Sequence, residues 1–199
     1  MTDRPDPARG RRTFLLLAAI FGLPLLAAWL LYFHFPEWIP QSRTNYGTLV
    51  APARPLPELA LVDPDGADRG SAALKGKWTW VQAGGAQCEQ ACRDKLHQFR
   101  QVRAALNEKR ERVQRVYLAP DRDAAAALRT ALAAEHPDLQ VLADPTGVAR
   151  QFFAADAAPP GTIFLLDPLG NWLMSYPPAA QSRGIYRDIK RLLRVSQIG

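Results

Sequence analysis

An uncharged apolar run near the N-terminus constrains this chain of 199 residues more than any other feature. The run reads TFLLLAAIFGLPLLAAWLLYF and covers residues 13–33. A helix of this length extends about 30 Å, which is the thickness of the hydrocarbon core of a bilayer. Pro24 lies inside the run and is compatible with a membrane-spanning helix. We therefore predict a single transmembrane anchor over residues 13–35.

Charges on the two sides of the run predict its orientation. Four arginines lie among residues 1–12, whereas the first cation after the run is Arg43. The positive-inside rule then makes residues 1–12 a cytoplasmic tail and places the rest of the chain across the membrane. A cleaved secretory signal is the alternative, but signals have a shorter apolar core that ends in a small-residue cleavage site. We expect a bacterial inner-membrane protein whose globular part is periplasmic.

The basic composition does not by itself indicate a nucleic-acid partner. The net charge of +6 includes the arginine-rich tail, and other cations alternate with acids, as in NEKRERVQR at residues 107–115. Such alternation is typical of a solvated helix face. We predict no nucleic-acid binding, and a basic face toward anionic lipid or an acidic partner is left open.

The chain after the anchor divides into a linker and a domain. Residues 36–56 are rich in proline and polar side chains, a composition that favours an extended spacer. Residues 57–199 are numerous enough to form one domain with its own hydrophobic core.

Strand and helix patterns alternate through this predicted domain. The segments KWTWVQAG and RVQRVYLAP have the apolar character of buried strands. A helix is predicted from Glu89 to Arg110, and an alanine-rich helix, a hairpin at Asp-Pro-Leu-Gly and an amphipathic closing helix follow. This order predicts an α/β fold of the thioredoxin-like type, with a partly parallel sheet covered on both faces.

The two cysteines of the chain, Cys88 and Cys92, are separated by three residues in GGAQCEQACRDKL. A disulfide that closes so short a loop removes little entropy from the unfolded chain, so it would be a poor staple. The pair lies at the start of a predicted helix, where free N–H groups and the helix dipole stabilise a thiolate. Both sulfurs would face the same way. The pattern favours reactive or metal-binding thiols over an inert disulfide.

A third ligand beside the two thiolates, which select soft ions such as Cu(I) and Zn, is not evident in the sequence. His97 follows Cys88 by nine residues, which is about 180° around a helix. We expect His34 at the membrane interface, His136 at the surface and Met174 in the core.

Three segments resemble the Sco/SenC family of cytochrome c oxidase assembly proteins. They are LPELALVDPDGADRGSAALKGKWTW, CEQAC and TIFLLDPLGNW. The resemblance implies a thioredoxin fold and a role in loading or reducing the binuclear copper site of an oxidase subunit. It gives Cys88 and Cys92 the role of copper ligands or redox pair. Two positions depart from the family: Glu89 replaces a proline, and Pro159 stands where the third copper ligand, a histidine, is expected.

The pair Pro159–Pro160 is similar to the cis-proline loop that faces the cysteines in thioredoxins. We expect this loop to face Cys88 and Cys92, with a plain rigid loop as the alternative. The sequence leaves the isomer of its peptide bonds open. A cis bond would favour thiol–disulfide chemistry over metal binding.

The leading hypothesis is a membrane-anchored assembly factor whose thiols exchange with, or deliver copper to, an oxidase copper site. Its partner would be the copper-binding subunit of cytochrome c oxidase, and Cys88 would attack while Cys92 resolves. A Cu(I) carrier without redox catalysis and a general thiol–disulfide reductase of cytochrome c maturation are alternatives, although such reductases usually carry Cys-x-x-Cys. A tethered interaction domain with an inert disulfide is another. Whether the protein is an enzyme, a thiol–disulfide oxidoreductase, is left open.

Overall fold

The computed structural model describes residues 7–35, 45–155 and 158–198. The chain divides into two compact units, residues 1–44 and residues 45–199. Residues 1–6 of the predicted tail and residues 36–44 of the predicted linker lie outside the described residues.

In the first unit, residues Pro7–His34 form helix α1. Its segment Gly10–His34 is long and apolar enough to cross a membrane, with a mean hydropathy of 2.5 in its most apolar window. The large apolar side chains of this segment are exposed, as at Phe21 and Leu25. This helix confirms the predicted N-terminal apolar segment as the candidate transmembrane anchor.

The described residues of the second unit form a six-stranded sheet and four α-helices. The strands are β1 (Thr48–Pro55), β2 (Trp78–Ala83), β3 (Val113–Ala119), β4 (Leu139–Ala143), β5 (Ile163–Leu166) and β6 (Asn171–Tyr176). The helices are α2 (Gln90–Ala104), α3 (Arg122–Leu132), α4 (Val148–Ala154) and α5 (Ser182–Val195). Short 3-10 turns lie at Ser71–Leu74 and Asn107–Arg112.

The strand order in the sheet is β1-β6-β5-β2-β3-β4. Strands β2, β3 and β4 run parallel, while β5, β6 and β1 add antiparallel pairs. Strand β2 is buried on both faces, which accounts for the mainly apolar segment WTWVQA. This mixed sheet confirms the α/β class predicted from the alternation of patterns.

The core is divided between the two faces of the sheet. On one face Trp80 packs edge-on against Phe99 of α2, with ring centroids 5.0 Å apart, and Ile189 of α5 joins the same cluster. A second cluster contains Phe153 of α4, which stacks on Phe164 of β5 at 4.7 Å. Met174 is buried in the first cluster, as predicted.

Strand β1 differs from the extended linker predicted over residues 36–56. Residues 48–55 pair with β6, with Thr48 opposite Ser175 and Arg54 opposite Trp172. The register shifts between Leu49 and Arg54, the stretch that contains Pro52. Prolines lack an N–H donor but are tolerated in an edge strand, so their abundance did not indicate a free spacer at these residues.

A buried carboxylate on α5 fixes the chain just before β1. Asp188 is buried and accepts hydrogen bonds from the N–H groups of Tyr46 and Gly47, at 3.0 and 2.9 Å. A side chain at position 47 would collide with Met174 and Tyr176, so glycine is required there. The folded unit therefore begins at about residue 45 and not at residue 57.

The prediction that His136 lies at the surface is wrong. The residue is only 2% exposed, and neither ring nitrogen has a hydrogen-bond partner among the described residues. The turn that closes α3 explains this, because it is held by bonds from His136 N–H to Leu132 and from Leu139 N–H to His136. Burial, together with the charge of Arg115, lowers the pKa of His136.

Candidate functional site

The segment between β2 and α2 carries both cysteines. Strand β2 ends at Ala83, and α2 begins at Gln90 with Glu89 as its N-cap residue. Cys88 therefore lies just before the helix, and Cys92 lies in its first turn. The N–H groups of a first helical turn lack intrahelical acceptors and carry a partial positive charge. This environment stabilises negative charge on a sulfur.

The two sulfurs are joined in a disulfide, with the Cα atoms of Cys88 and Cys92 5.2 Å apart. Cys88 is buried, at 8% exposed, and packs in the cluster that includes Leu128 of α3. Cys92 is only half-buried. The sulfurs meet as the spacing predicts, but their access to solvent differs.

Tyr117 of β3 anchors the loop that precedes Cys88. Its hydroxyl donates a hydrogen bond to the carbonyl of Gly85 at 3.0 Å. The N–H of Gly84 donates to the carbonyl of Leu118 at 3.0 Å. A Cβ atom on Gly84 would overlap the Tyr117 hydroxyl, so this close approach requires glycine. Burial raises the pKa of Tyr117, which keeps the phenol a hydrogen-bond donor.

A cleft of about 460 Å³ opens beside Cys92. Its wall includes Pro160 and Gly161 from the loop before β5, and Pro178 from the loop after β6. Pro159 lines a different cavity, against residues of β1. The structure thus brings Pro160 to the cysteine cleft, while Pro159 points to a separate region.

Both peptide bonds that precede these prolines are trans. Ala51–Pro52 is the single cis peptide bond in the described ranges. The loop before β5 is instead held by Thr162, whose hydroxyl donates to the Pro159 carbonyl at 2.7 Å.

A lysine that the sequence analysis did not single out lies in the same wall. Lys95 follows Cys92 by three residues on α2, so both side chains occupy the same helix face. It is 9% exposed, and its ammonium donates to Gln98 Oε1 and to the Pro178 carbonyl, at 2.7 and 2.5 Å. Burial lowers the pKa of Lys95. The i, i+3 spacing from Cys92 was the signal that could have identified it.

No group of three or more His, Cys, Asp or Glu side chains able to hold a metal occurs among the described residues. His97 is exposed, and its ring nitrogen lies 3.3 Å from the Gln101 amide. The donor set at the site therefore consists of the two cysteine sulfurs. Two thiolates can hold Cu(I) in linear coordination. Once their disulfide is reduced, Cys88 and Cys92 therefore fit that ion.

The family model described as "Transmembrane-like, thioredoxin-like, C-terminal domain" matches residues 78–196, which is more than half of the chain. The mouse protein "SCO2 homolog, mitochondrial" is 29% identical over 203 residues, covering 92% of this chain and 79% of that protein.

Two solved structures share the fold. Bradyrhizobium japonicum ScoI with copper bound has 22% identity and a TM-score of 0.55, covering 69% of this chain and 98% of that one. The structure of BsSco, which was reported with a disulfide switch, has 16% identity and a TM-score of 0.55. The match covers 75% of this chain and 99% of that one. The sheet, the family model and the Sco relative agree: this chain belongs to the transmembrane-like, thioredoxin-like family and is a Sco/SenC-type protein.

Proposed function

We propose that this protein assists cytochrome c oxidase assembly by thiol–disulfide exchange through Cys88 and Cys92. The observation that carries the proposal is the disulfide at the start of α2, with Cys92 half-buried at the edge of an open cleft. A structural staple would be of little use across so short a loop. A pair that a partner can reach is suited to reversible exchange.

The relatives supply the biological setting of the proposal. BsSco is described as a member of the Sco family of cytochrome c oxidase assembly proteins with a disulfide switch. By analogy, the partner is the copper-binding subunit of cytochrome c oxidase, whose cysteines must be reduced before they bind copper. We place α1 in a bacterial inner membrane, with residues 1–12 cytoplasmic and the folded unit periplasmic.

The exchange proceeds in two steps. The thiolate of Cys92 attacks a disulfide of the partner, so that a mixed disulfide forms and one partner sulfur leaves as a thiolate. The thiolate of Cys88 then attacks Cys92 Sγ, which closes the Cys88–Cys92 bond and releases the second partner sulfur. Two electrons and two protons pass to the partner, and a dithiol reductant of the same compartment restores the pair.

This assignment reverses the roles expected from the sequence, in which Cys88 attacks. Cys88 precedes the helix and is 8% exposed, whereas Cys92 is half-buried and borders the cleft. A mixed disulfide requires access by the partner, so Cys92 is the better contact sulfur. Cys88, at the positive end of the helix, is the better leaving and resolving thiolate.

Delivery of Cu(I) is the second candidate function. When the disulfide is reduced, the same two sulfurs are close enough to hold one ion as cargo, and Bradyrhizobium japonicum ScoI has been solved with copper bound. Pro159 in place of the family histidine leaves the described part of the site with sulfur donors alone. Such a site would bind Cu(I) with less specificity than one completed by imidazole.

Single-cysteine variants of the full chain in detergent micelles test the proposed exchange. With glutathione disulfide, Cys88→Ser is expected to form a mixed disulfide about tenfold faster than Cys92→Ser, because reactivity requires an accessible thiolate. Mass spectrometry of the intact chain measures the amount of glutathione adduct over time. The control is the same reaction in urea, where the remaining cysteine of each unfolded variant is equally accessible and the two rates should be similar. If neither folded variant formed an adduct, the exchange function would be contradicted.

A further inference from the structure

Lys95 is a buried cation in the wall of the Cys92 cleft. The residue is 9% exposed, and its ammonium donates hydrogen bonds to Gln98 Oε1 and the Pro178 carbonyl, both of which are neutral acceptors. Within the described ranges, no carboxylate lies within ion-pair distance of Lys95. A buried ammonium without a counter-charge is costly, and such groups are normally paired.

The charged side chains in the cleft wall indicate which charge a ligand would need in order to pair with Lys95. Glu89 is the other charged side chain in its wall, and it is exposed to solvent at the N-cap position. Its carboxylate is therefore solvated, whereas Lys95 is 9% exposed and the hydrogen bonds of its ammonium are partly buried. The first turn of α2 adds the positive end of its dipole on the same side. The part of the cleft nearest Lys95 is thus suited to an anionic group.

We propose that this cleft is a binding site for a partner segment that carries a carboxylate close to its reactive sulfur, and that the carboxylate pairs with Lys95. The inference rests on the proposed exchange function, which brings a partner sulfur to Cys92. At a partly buried ammonium, a charge-assisted hydrogen bond to a carboxylate is stronger than a bond to a neutral acceptor. The pair would both orient the partner and select against basic segments.

Peptides of graded charge test the proposal. Three disulfides of one short peptide carry Asp, Asn or Lys next to the cysteine, and each reacts in a single turnover with the reduced full-length protein in micelles at pH 7. The Asp peptide is expected to react about tenfold faster than the Asn peptide, which corresponds to about 1.4 kcal/mol. The Lys peptide should be the slowest, and added salt should narrow the differences.

Variants of the protein test whether Lys95 causes the preference for the Asp peptide. Lys95→Met should make the Asp and Asn peptides equal, and Lys95→Glu should reverse their order. Glu89→Gln removes the opposing charge without touching the core, so it should widen the preference for Asp. Lys109→Met, at an exposed position, is the matched control and should keep the wild-type order.

The outcomes distinguish between failure of the proposed carboxylate–Lys95 pair and failure of the proposed thiol–disulfide exchange. Equal rates for the three peptides with the wild-type protein would overturn the inference while leaving exchange intact, and this result does not depend on any variant folding. A preference for Asp that persists in a folded Lys95→Met variant would overturn the role of Lys95. No reaction with any peptide would overturn the exchange function, and the inference with it.

Discussion

Replacing Asp138 by alanine is expected to lower the free energy of unfolding by about 3 kcal/mol. Asp138 lies between α3 and β4 and binds the guanidinium of Arg115, with Oδ1 at 2.5 Å from Nη2 and Oδ2 at 3.1 Å from Nε. Arg115 is 2% exposed, so the substitution leaves a buried charge without its counterion. Asp138 is itself 26% exposed, which lets water reach the vacated position and keeps the cost at the lower end for such pairs.

Urea unfolding of the full chain in micelles, followed by near-UV circular dichroism, measures this loss. Asp123→Ala, at an exposed position in the first turn of α3, is the matched control and should change stability by at most about 0.5 kcal/mol. The double variant Asp138→Ala, Arg115→Met should lose less than the two single variants together. A loss below about 1 kcal/mol for Asp138→Ala would show that the pair does not stabilise the fold.

The effect should also depend on pH. Burial by itself would raise the pKa of Asp138, but the hydrogen bonds and charge of Arg115, with the charge of Arg103, outweigh it and lower the pKa. A carboxyl group with a lowered pKa stabilises the folded state above its unfolded value of about 3.9. This contribution is lost as pH falls through the folded pKa. The gap between wild type and Asp138→Ala should therefore be full at pH 7 and shrink in strong acid.

Substitution of Gly84 by alanine is expected to destabilise the folded unit by about 1 to 3 kcal/mol. The added methyl group would overlap the hydroxyl of Tyr117, which is buried. Movement of the loop away from β3, or of the Tyr117 ring away from the loop, relieves the overlap at the cost of the hydrogen bond from Tyr117 to Gly85. We also expect slower exchange at Cys92, because the same loop forms part of the cleft wall.

Gly85→Ala provides the control for this prediction. A Cβ atom at Gly85 would meet its nearest neighbour at 3.9 Å, an ordinary contact, and the residue is exposed. Denaturant midpoints and rates of reaction with glutathione disulfide should be nearly unchanged in Gly85→Ala. Equal effects of the two substitutions would show that backbone freedom, and not the Tyr117 contact, determines the requirement for glycine.

Local patterns in the sequence were sufficient to predict the apolar helix, the α/β class and the meeting of Cys88 and Cys92. Each depends on neighbours along the chain: an unbroken apolar run, alternating periods, and one helical turn between sulfurs. Strand β1 was not predicted, because its pairing with β6 depends on a distant partner and its prolines favour a linker. For the same reason the sequence did not show that Asp188 holds Tyr46 and Gly47.

Burial was the property that sequence reasoning estimated least well at the site. His136 precedes a proline at a helix end, which suggested the surface, yet the turn brings its ring inside. Cys88 and Cys92 both pack on the cluster that contains Leu128 of α3, but Cys88 is buried in it while Cys92 lies at its edge. Lys95 belongs to a polar-looking helix start, and its burial follows from the loop after β6, which covers it through Pro178.

The most direct test of the central claim is a redox titration of the Cys88–Cys92 pair in the full-length protein. The protein is equilibrated in glutathione buffers of graded potential, and the thiols are alkylated and counted by mass. We predict reversible conversion between disulfide and dithiol, with a reduction potential above about −300 mV, the region below which structural disulfides lie. A pair that stays oxidised in every buffer, or does not re-form its disulfide after reduction, would contradict the claim that Cys88 and Cys92 function in thiol–disulfide exchange.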